Sequence, residues 1–247
     1  MADTALLEQM RQDVVRALKK PPEKRRWALI VDIRKCVGCH ACTVACKAEN
    51  KTPPDVEYRI VRDAEDGAYP NVQHYFMPVL CMQCENPPCV KACRDGAIFK
   101  RPDGIVQVDY AKCNGCSKPA ACPYGVLHKD DGRYYTEGTP RLEPYETAPT
   151  FEYGERQVRT NGAAPIGRCR KCHYCLHRLE AGMLPACVTT CIGQANYFGD
   201  LSDPESVVAK VAREQQIYLF GTSYKTGPTT RYVSWGPGED TCGECHD

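Results

Sequence analysis

The chain has 247 residues, 26% of them charged and 43% hydrophobic, with a formal net charge of +1. That composition is globular and excludes disorder, and so balanced a charge supplies no global field to draw in nucleic acid or an anionic membrane surface. No apolar run approaches the roughly 18 residues of a membrane span, whereas 18 cysteines, about one residue in fourteen, call for disulfide or metal chemistry.

In chain order, residues 3–20 read as an amphipathic helix with Leu6, Leu7, Met10, Val14 and Leu18 along one stripe and Pro21-Pro22 ending it. Such a stripe packs on its own protein or docks on a partner subunit. The segment lacks the apolar core of a signal peptide, and Arg25-Arg26 precedes only a short apolar run closed by Asp32, so neither export nor insertion by its own signal is expected. Residues 27–33 form a predicted strand leading into Cys36-Val-Gly-Cys39-His-Ala-Cys42-Thr-Val-Ala-Cys46. This is the bacterial ferredoxin run C-x2-C-x2-C-x3-C, in which three cysteines hold one cubane and the fourth reaches a second cluster. A zinc ribbon would use two C-x2-C pairs per ion and leave the third cysteine and the x3 step unexplained.

Residues 73–80 are the next predicted strand, followed by Cys81-Met-Gln-Cys84-Glu-Asn-Pro-Pro-Cys89-Val-Lys-Ala-Cys93, the same run with a two-residue insertion carrying Pro87-Pro88. Residues 98–100 and 105–110 flank Asp103-Gly104 as a hairpin. The third run, Cys113-Asn-Gly-Cys116-Ser-Lys-Pro119-Ala-Ala-Cys122-Pro123, is eroded. Cys122, followed by proline, aligns as the fourth ligand, Pro119 stands at the third position, and the last step is one residue short. Residues 126–135, with Asp131-Gly132, read as another hairpin, and 137–168, rich in Pro, Gly, Glu and Thr, as a long surface excursion.

The fourth run is Cys172-x2-Cys175-x11-Cys187-x3-Cys191, with Cys169 ahead of it as an incidental thiol. Ser202-Asp-Pro204-Glu205 opens a predicted helix with Val207, Val208 and Val211 on one face. Residues 221–235, with Tyr224, Tyr232 and Trp235, read as irregular: an arm across another subunit or a tail on its own core. Cys242-x2-Cys245-His246 matches a haem-attachment pattern, but so does Cys36-x2-Cys39-His40 inside a ferredoxin run; local zinc or an interfacial disulfide suits the C-terminal pair better. Lys47, Lys91, Lys112, Arg168, Arg170 and Lys171 are candidate cations beside the runs, and His173 and His177 candidate supports within the fourth. There is no dinucleotide fingerprint, no P-loop and no Ser/His/Asp constellation, so no catalytic residue is assigned.

Four such runs in this order resemble the iron–sulfur electron-transfer subunits of the molybdenum or tungsten bis-pterin oxidoreductases. These include dimethyl sulfoxide, polysulfide, thiosulfate, arsenate and nitrate reductases and pyrogallol–phloroglucinol transhydroxylase. The double-proline second run and Leu184-Pro185-Ala186-Cys187 in the fourth carry the likeness best, over residues 26–200. The resemblance implies an α+β fold of two bacterial dicluster ferredoxin-like modules, one inserted in the other, with long loops and terminal extensions. Residues 1–25 would be an N-terminal helix, 26–72 with 165–200 the outer module, 73–136 the inner module, 137–164 a long surface loop and 201–247 a C-terminal helix and tail.

It further implies one cluster on Cys36, Cys39, Cys42 and Cys191, a second on Cys172, Cys175, Cys187 and Cys46, and a third on Cys81, Cys84, Cys89 and Cys122. A fourth site has only Cys93, Cys113 and Cys116, and would hold a [3Fe-4S] cluster, a cubane with a non-cysteine ligand, or nothing. The function implied is a non-catalytic subunit wiring a large bis-pterin catalytic subunit to a membrane quinone-reactive subunit or a soluble redox carrier; the alternative is a free-standing polyferredoxin carrier. Cytoplasmic placement is expected from the lack of a signal, or periplasmic placement by co-export with a signal-bearing partner.

Overall fold

The computed structural model describes residues 4–115 and 119–234. Its elements are α1 (Thr4–Leu18), β1 (Trp27–Asp32), α2 (Ala41–Asn50), β2 (Arg59–Ala68), β3 (Asn71–Leu80), α3 (Pro88–Ala92), β4 (Ile98–Lys100) and β5 (Val106–Val108). There follow β6 (His128–Lys129), β7 (Cys169–Arg170), α4 (Leu176–Glu180), α5 (Ala186–Thr189), β8 (Asn196–Asp200), α6 (Val207–Glu214), β9 (Ile217–Tyr218) and β10 (Thr230–Val233). The mixture of helices and short, mostly antiparallel strands is α+β.

The main sheet runs β8-β1-β10-β9. β1 pairs antiparallel with β8, from Trp27 opposite Asp200 to Val31 opposite Asn196, and parallel with β10, from Leu29 beside Thr230 to Asp32 beside Val233. Every residue of β1 is buried, as a continuous apolar run between two partners requires. Met10, Val14 and Ala17 of α1 and Val207 and Val208 of α6 join this core, and Trp27 stacks on Phe198 with centroids 5.6 Å apart. The stripe on α1 therefore packs on its own protein. Asp13 fastens α1 to α6, its Oδ2 accepting the Val207 N–H at 2.8 Å.

Four sequence expectations change here. Residues 230–233 are an interior strand instead of an irregular tail, because β1, near the other end of the chain, offers them an edge. Residues 126–135 do not close on themselves: β6 pairs with β7, His128 opposite Arg170 and Lys129 opposite Cys169. Asp130 is drawn inward by Arg159 and Arg170, at 2.7 and 2.8 Å, which prevents a local hairpin. The excursion after residue 137 dips below the surface, burying Thr150, Glu152, Tyr153 and Arg159. The last helix also starts later than expected, at Val207, with Ser206 Oγ accepting the Ala209 N–H at 3.2 Å; Ser202–Glu205 is the turn before it.

β2 and β3 form a long hairpin in register from Arg59–Leu80 to Ala68–Asn71, buried at its base and exposed at its tip. β2 carries no apolar period beyond its first residues, so no local pattern marks it as a strand. A second, smaller core gathers Ile98, Val106, Val108, Tyr110 and Leu127 around the β4–β5 hairpin, together with Cys113 and Cys169.

Candidate iron–sulfur centres

The first run leaves β1 through a loop that lies directly on β3. Gly38 has φ +65°, and a Cβ there would sit 2.5 Å from the Phe76 ring, so only glycine permits the approach. His40, at φ 56°, then turns the chain into α2. Left-handed residues recur beside other runs, at Gln83, Tyr174, Cys175 and Gln194. Such turns aim successive N–H groups at sulfur: Tyr174 N–H reaches Cys172 Sγ at 3.5 Å and Ala195 N–H reaches Cys191 Sγ at 3.3 Å.

Cys36, Cys39 and Cys42 meet Cys191 around a hollow of about 340 Å³ that Arg59 and Asn196 also line. Cys46 instead faces the fourth run. Its thiol is pushed well up by burial and then by the charges of Cys175, Cys172 and Cys187. A second hollow, of about 360 Å³, is lined by Cys81, Cys84, Cys89 and Cys122, with Pro87 and Pro88 on its wall. Burial followed by Cys81 pushes the Cys84 thiol up to about 12 and the Cys89 thiol up to about 11. Cys172 is likewise pushed up to about 12, by burial and then by Cys81, so the Cys46 group and the second hollow are neighbours.

Two buried cations stand between these groups. Arg59 donates from Nη2 to Asn196 Oδ1 at 2.5 Å and directs Nη1 at Cys187 Sγ, 3.7 Å away. Burial works to lower its pKa, but thiolate charge at Cys187 and Cys42 keeps it raised. Lys171 donates to the carbonyls of Val106 and Cys172 and lines the second hollow. Sequence reading singles out Lys171 and misses Arg59, which is thirteen residues from the nearest cysteine in the chain. Arg170 points away from sulfur, into ion pairs with Asp130 and Glu152 at 2.8 and 2.7 Å. Lys47 instead ties down the loop carbonyls of Pro53, Pro54 and Val56.

His173 and His177 support the fourth run from behind. His173 Nδ1 accepts the Leu176 N–H at 2.9 Å, which leaves Nε2 to donate to Asn50 Oδ1 at 3.1 Å. Asn50 Nδ2 in turn donates to Cys46 Sγ at 3.4 Å. Burial holds the His173 pKa well below the usual range, so this relay is neutral. His177 bonds Glu49 at 2.7 Å and clamps α4 to α2.

The eroded third run lies in the smaller core. Cys113 Sγ accepts the Cys169 N–H at 3.3 Å, and its thiol is lowered to about 6, first by the hydrogen bond from the Cys169 side chain. Cys169 therefore sits beside Cys113 of the third run, not apart from it as its place ahead of the fourth run suggests, because the β6–β7 pairing brings it there. Cys93 caps α3, and its Sγ accepts the Ile98 N–H at 3.3 Å. Cys116, Trp235, Cys242, Cys245 and His246 lie outside the described residues.

Buried thiols with raised pKa values, arranged four around a hollow, need metal cations before all can ionise. Among the described residues no three His, Cys, Asp or Glu side chains converge as they do on a single ion. The cysteines surround a volume instead, and this donor set fits polynuclear iron–sulfur clusters. Comparison with known proteins agrees. Sequence profiles of the 4Fe-4S dicluster domain match residues 72–138 with 158–201, and residues 35–98. One subunit of the selenate reductase of Mesobacillus selenatarsenatis is 49% identical over 230 residues, 93% of this chain and 79% of that protein. The arsenate respiratory reductase iron–sulfur subunit ArrB of Shewanella sp. ANA-3 is 33% identical over 224 residues, 84% of this chain and 96% of its own. One subunit of the tetrathionate reductase of Salmonella typhimurium is 36% identical over 200 residues, 78% of this chain and 65% of its own. The class is that of proteins carrying multiple 4Fe-4S clusters. Within it, the chain belongs to the family of iron–sulfur subunits of reductase complexes.

Proposed function

We propose that this chain is the electron-transfer subunit of a reductase complex, carrying single electrons between a large molybdenum or tungsten bis-pterin catalytic subunit and an external redox partner. When bound, the clusters supply one-electron exchange, at potentials that hydrogen bonds to sulfur, nearby charge and exposure adjust. The chain's own residues space and tune them. Cys36, Cys39, Cys42 and Cys191 hold one cubane; Cys46, Cys172, Cys175 and Cys187 a second; Cys81, Cys84, Cys89 and Cys122 a third; Cys93, Cys113 and Cys116 belong to a fourth site. Crossing of the fourth ligands divides the chain into an outer module, 26–72 with 165–200, and an inner module, 73–136.

The observation that carries this reading is continuity. Two four-cysteine hollows are joined through the Cys46 group, with Arg59 at one junction and Lys171 at the other. A line of redox centres needs such spacing, and buried cations favour the more negative reduced state. The line surfaces at the first hollow, where Cys39 is exposed beside Val37 and Val44, 58% and 64% exposed. That edge suits electron exchange with a docked partner.

Two measurements test the proposal. Chain purified without oxygen contains about 11–16 iron atoms, from three cubanes of four irons each or slightly fewer and at most one further cluster; zinc with negligible iron would defeat it. Native mass determination from the source cell finds the chain with a much larger subunit, in an interface above the roughly 2,000 Å² of ordinary complexes; a lone monomer would leave a free-standing carrier instead.

A further inference from the structure

We propose that Cys169 supplies a thiolate to the fourth cluster site, beside Cys93 and Cys113, in place of the ligand the third run lacks at Pro119. The inference rests on the iron–sulfur reading above and concerns which residues make its least complete site whole.

The strand β7 is two residues long, and its residues serve opposite sides. Arg170 enters the buried ion pairs with Asp130 and Glu152, so alternation along the strand sends Cys169 the other way, into the smaller core. There Cys169 is 2% exposed and Cys113 4% exposed, with the backbone N–H of the one bonded to the sulfur of the other. Cys93 joins the same core, and the loops that follow Cys93 and Cys113 are tied by the Asn114 N–H donating to Asp95 Oδ2 at 3.4 Å.

A Cβ on Gly115 would lie 2.8 Å from the carbonyl oxygen of Gly167, so the backbone following Cys113 also rests on the backbone just before Cys169. Three separate stretches of chain thus deliver Cys93, Cys113 and Cys169 to one corner of the core.

The surroundings suit thiolate. Cys93 and Cys113 each receive a backbone N–H at sulfur, and such bonds favour the ionised form. Arg168, next in the chain to Cys169, adds positive charge at Cys113 and has a buried Nε with no partner among the described residues. A buried guanidinium nitrogen of this kind is costly unless negative charge faces it, as a thiolate-ligated cluster would supply. On ligation the Cys169 thiol gives up its proton to solvent and bonds the iron that would otherwise lack a thiolate.

The test uses the full-length chain in its complex, purified without oxygen, then oxidised under control and examined by electron paramagnetic resonance together with iron and sulfide counts. Four cubanes give about 16 iron atoms per chain and no oxidised signal, since an oxidised cubane is silent and a three-iron cluster is paramagnetic. Cys169→Ala is expected to lose about one iron and gain the oxidised three-iron signal, while the roughly 12 irons of the other sites persist. Cys169→Ser, with an oxygen ligand, should keep the iron and shift the reduced spectrum.

A three-iron signal in the unaltered protein overturns the proposal without recourse to any variant. So does a Cys113–Cys169 disulfide in the cluster-loaded protein, or an iron count and spectrum unchanged in Cys169→Ala. About 12 irons in both proteins with a silent spectrum means an empty fourth site, which defeats this inference and leaves the other three clusters standing. Iron near zero in both defeats the iron–sulfur reading itself.

Discussion

The two cores of this protein solve the same problem differently. Around β1 the scaffold is apolar and continuous: six buried strand residues, two helices and complete cysteine runs, with one buried cation, Arg59, aimed at sulfur. Around β4 and β5 the apolar core is small, and polar residues from afar hold it. Arg170 bonds Glu152, Asp130 and Tyr58, Arg159 bonds Asp130, and Tyr110 bonds Glu152. Where local sequence supplies both ligands and core, the chain needs little long-range correction. Where the third run is eroded, the fold recruits charge and sulfur from residues 152–170.

Breaking the polar network should have the largest effect. Glu152→Ala leaves the fully buried Arg170 without one of its two carboxylates and should cost about 3–5 kcal/mol, the range for a buried pair that loses a partner. Hydrogen exchange of the intact protein should show lost protection at β4 and β5 with β1 and β8 preserved. Equal loss in both regions would erase the distinction between the cores. The matching change in the apolar region, Leu29→Ala, should cost about 2–5 kcal/mol with the reverse pattern of exchange, because its side chain is entirely buried.

A smaller effect sharpens the electrostatic side of the contrast. Arg59→Gln removes a buried positive charge beside Cys187 and Cys42, which disfavours the reduced cluster, so the potential of that pair of sites should fall by roughly 60 mV, the equivalent of about a tenfold change in equilibrium constant. Redox titration of the loaded protein measures it, with the exposed Lys91→Gln as a comparison expected to change little.

The smallest effect is a pH dependence. Burial holds the His128 pKa below the usual imidazole value, so its neutral form favours the fold. Its contribution is fully present above about pH 6.5, the unfolded value, and is lost as pH falls through the lower folded value. His128→Gln should flatten that limb of the stability curve, and thermal melts across it would show whether the smaller core is the more acid-sensitive.

Much of the site was legible because cluster ligation is written in short spacings. Residues 36–46 and 81–93 declare themselves by x2 and x3 steps, and the structure gathers Cys36, Cys39 and Cys42 with Cys191, and Cys81, Cys84 and Cys89 with Cys122. The strands 27–32, 71–80 and 98–100 and the helix 4–18 were legible from apolar period and proline punctuation, with ends displaced by a residue or two. Arg59 was not, since an arginine at the base of a hairpin has no local pattern that marks it as buried. Nor was β10: its four residues acquire meaning only from the open edge of β1.

The sequence by itself determined the chemistry, because iron–sulfur ligation depends on residue type and on separations of three or four positions, which survive in one dimension. Tertiary structure alone decided which distant groups share a site: Cys169 with Cys113, Arg59 with Cys187, Lys171 with the second hollow. Those meetings follow from strand pairing and from the need to neutralise buried charge, long-range conditions that no local spacing records.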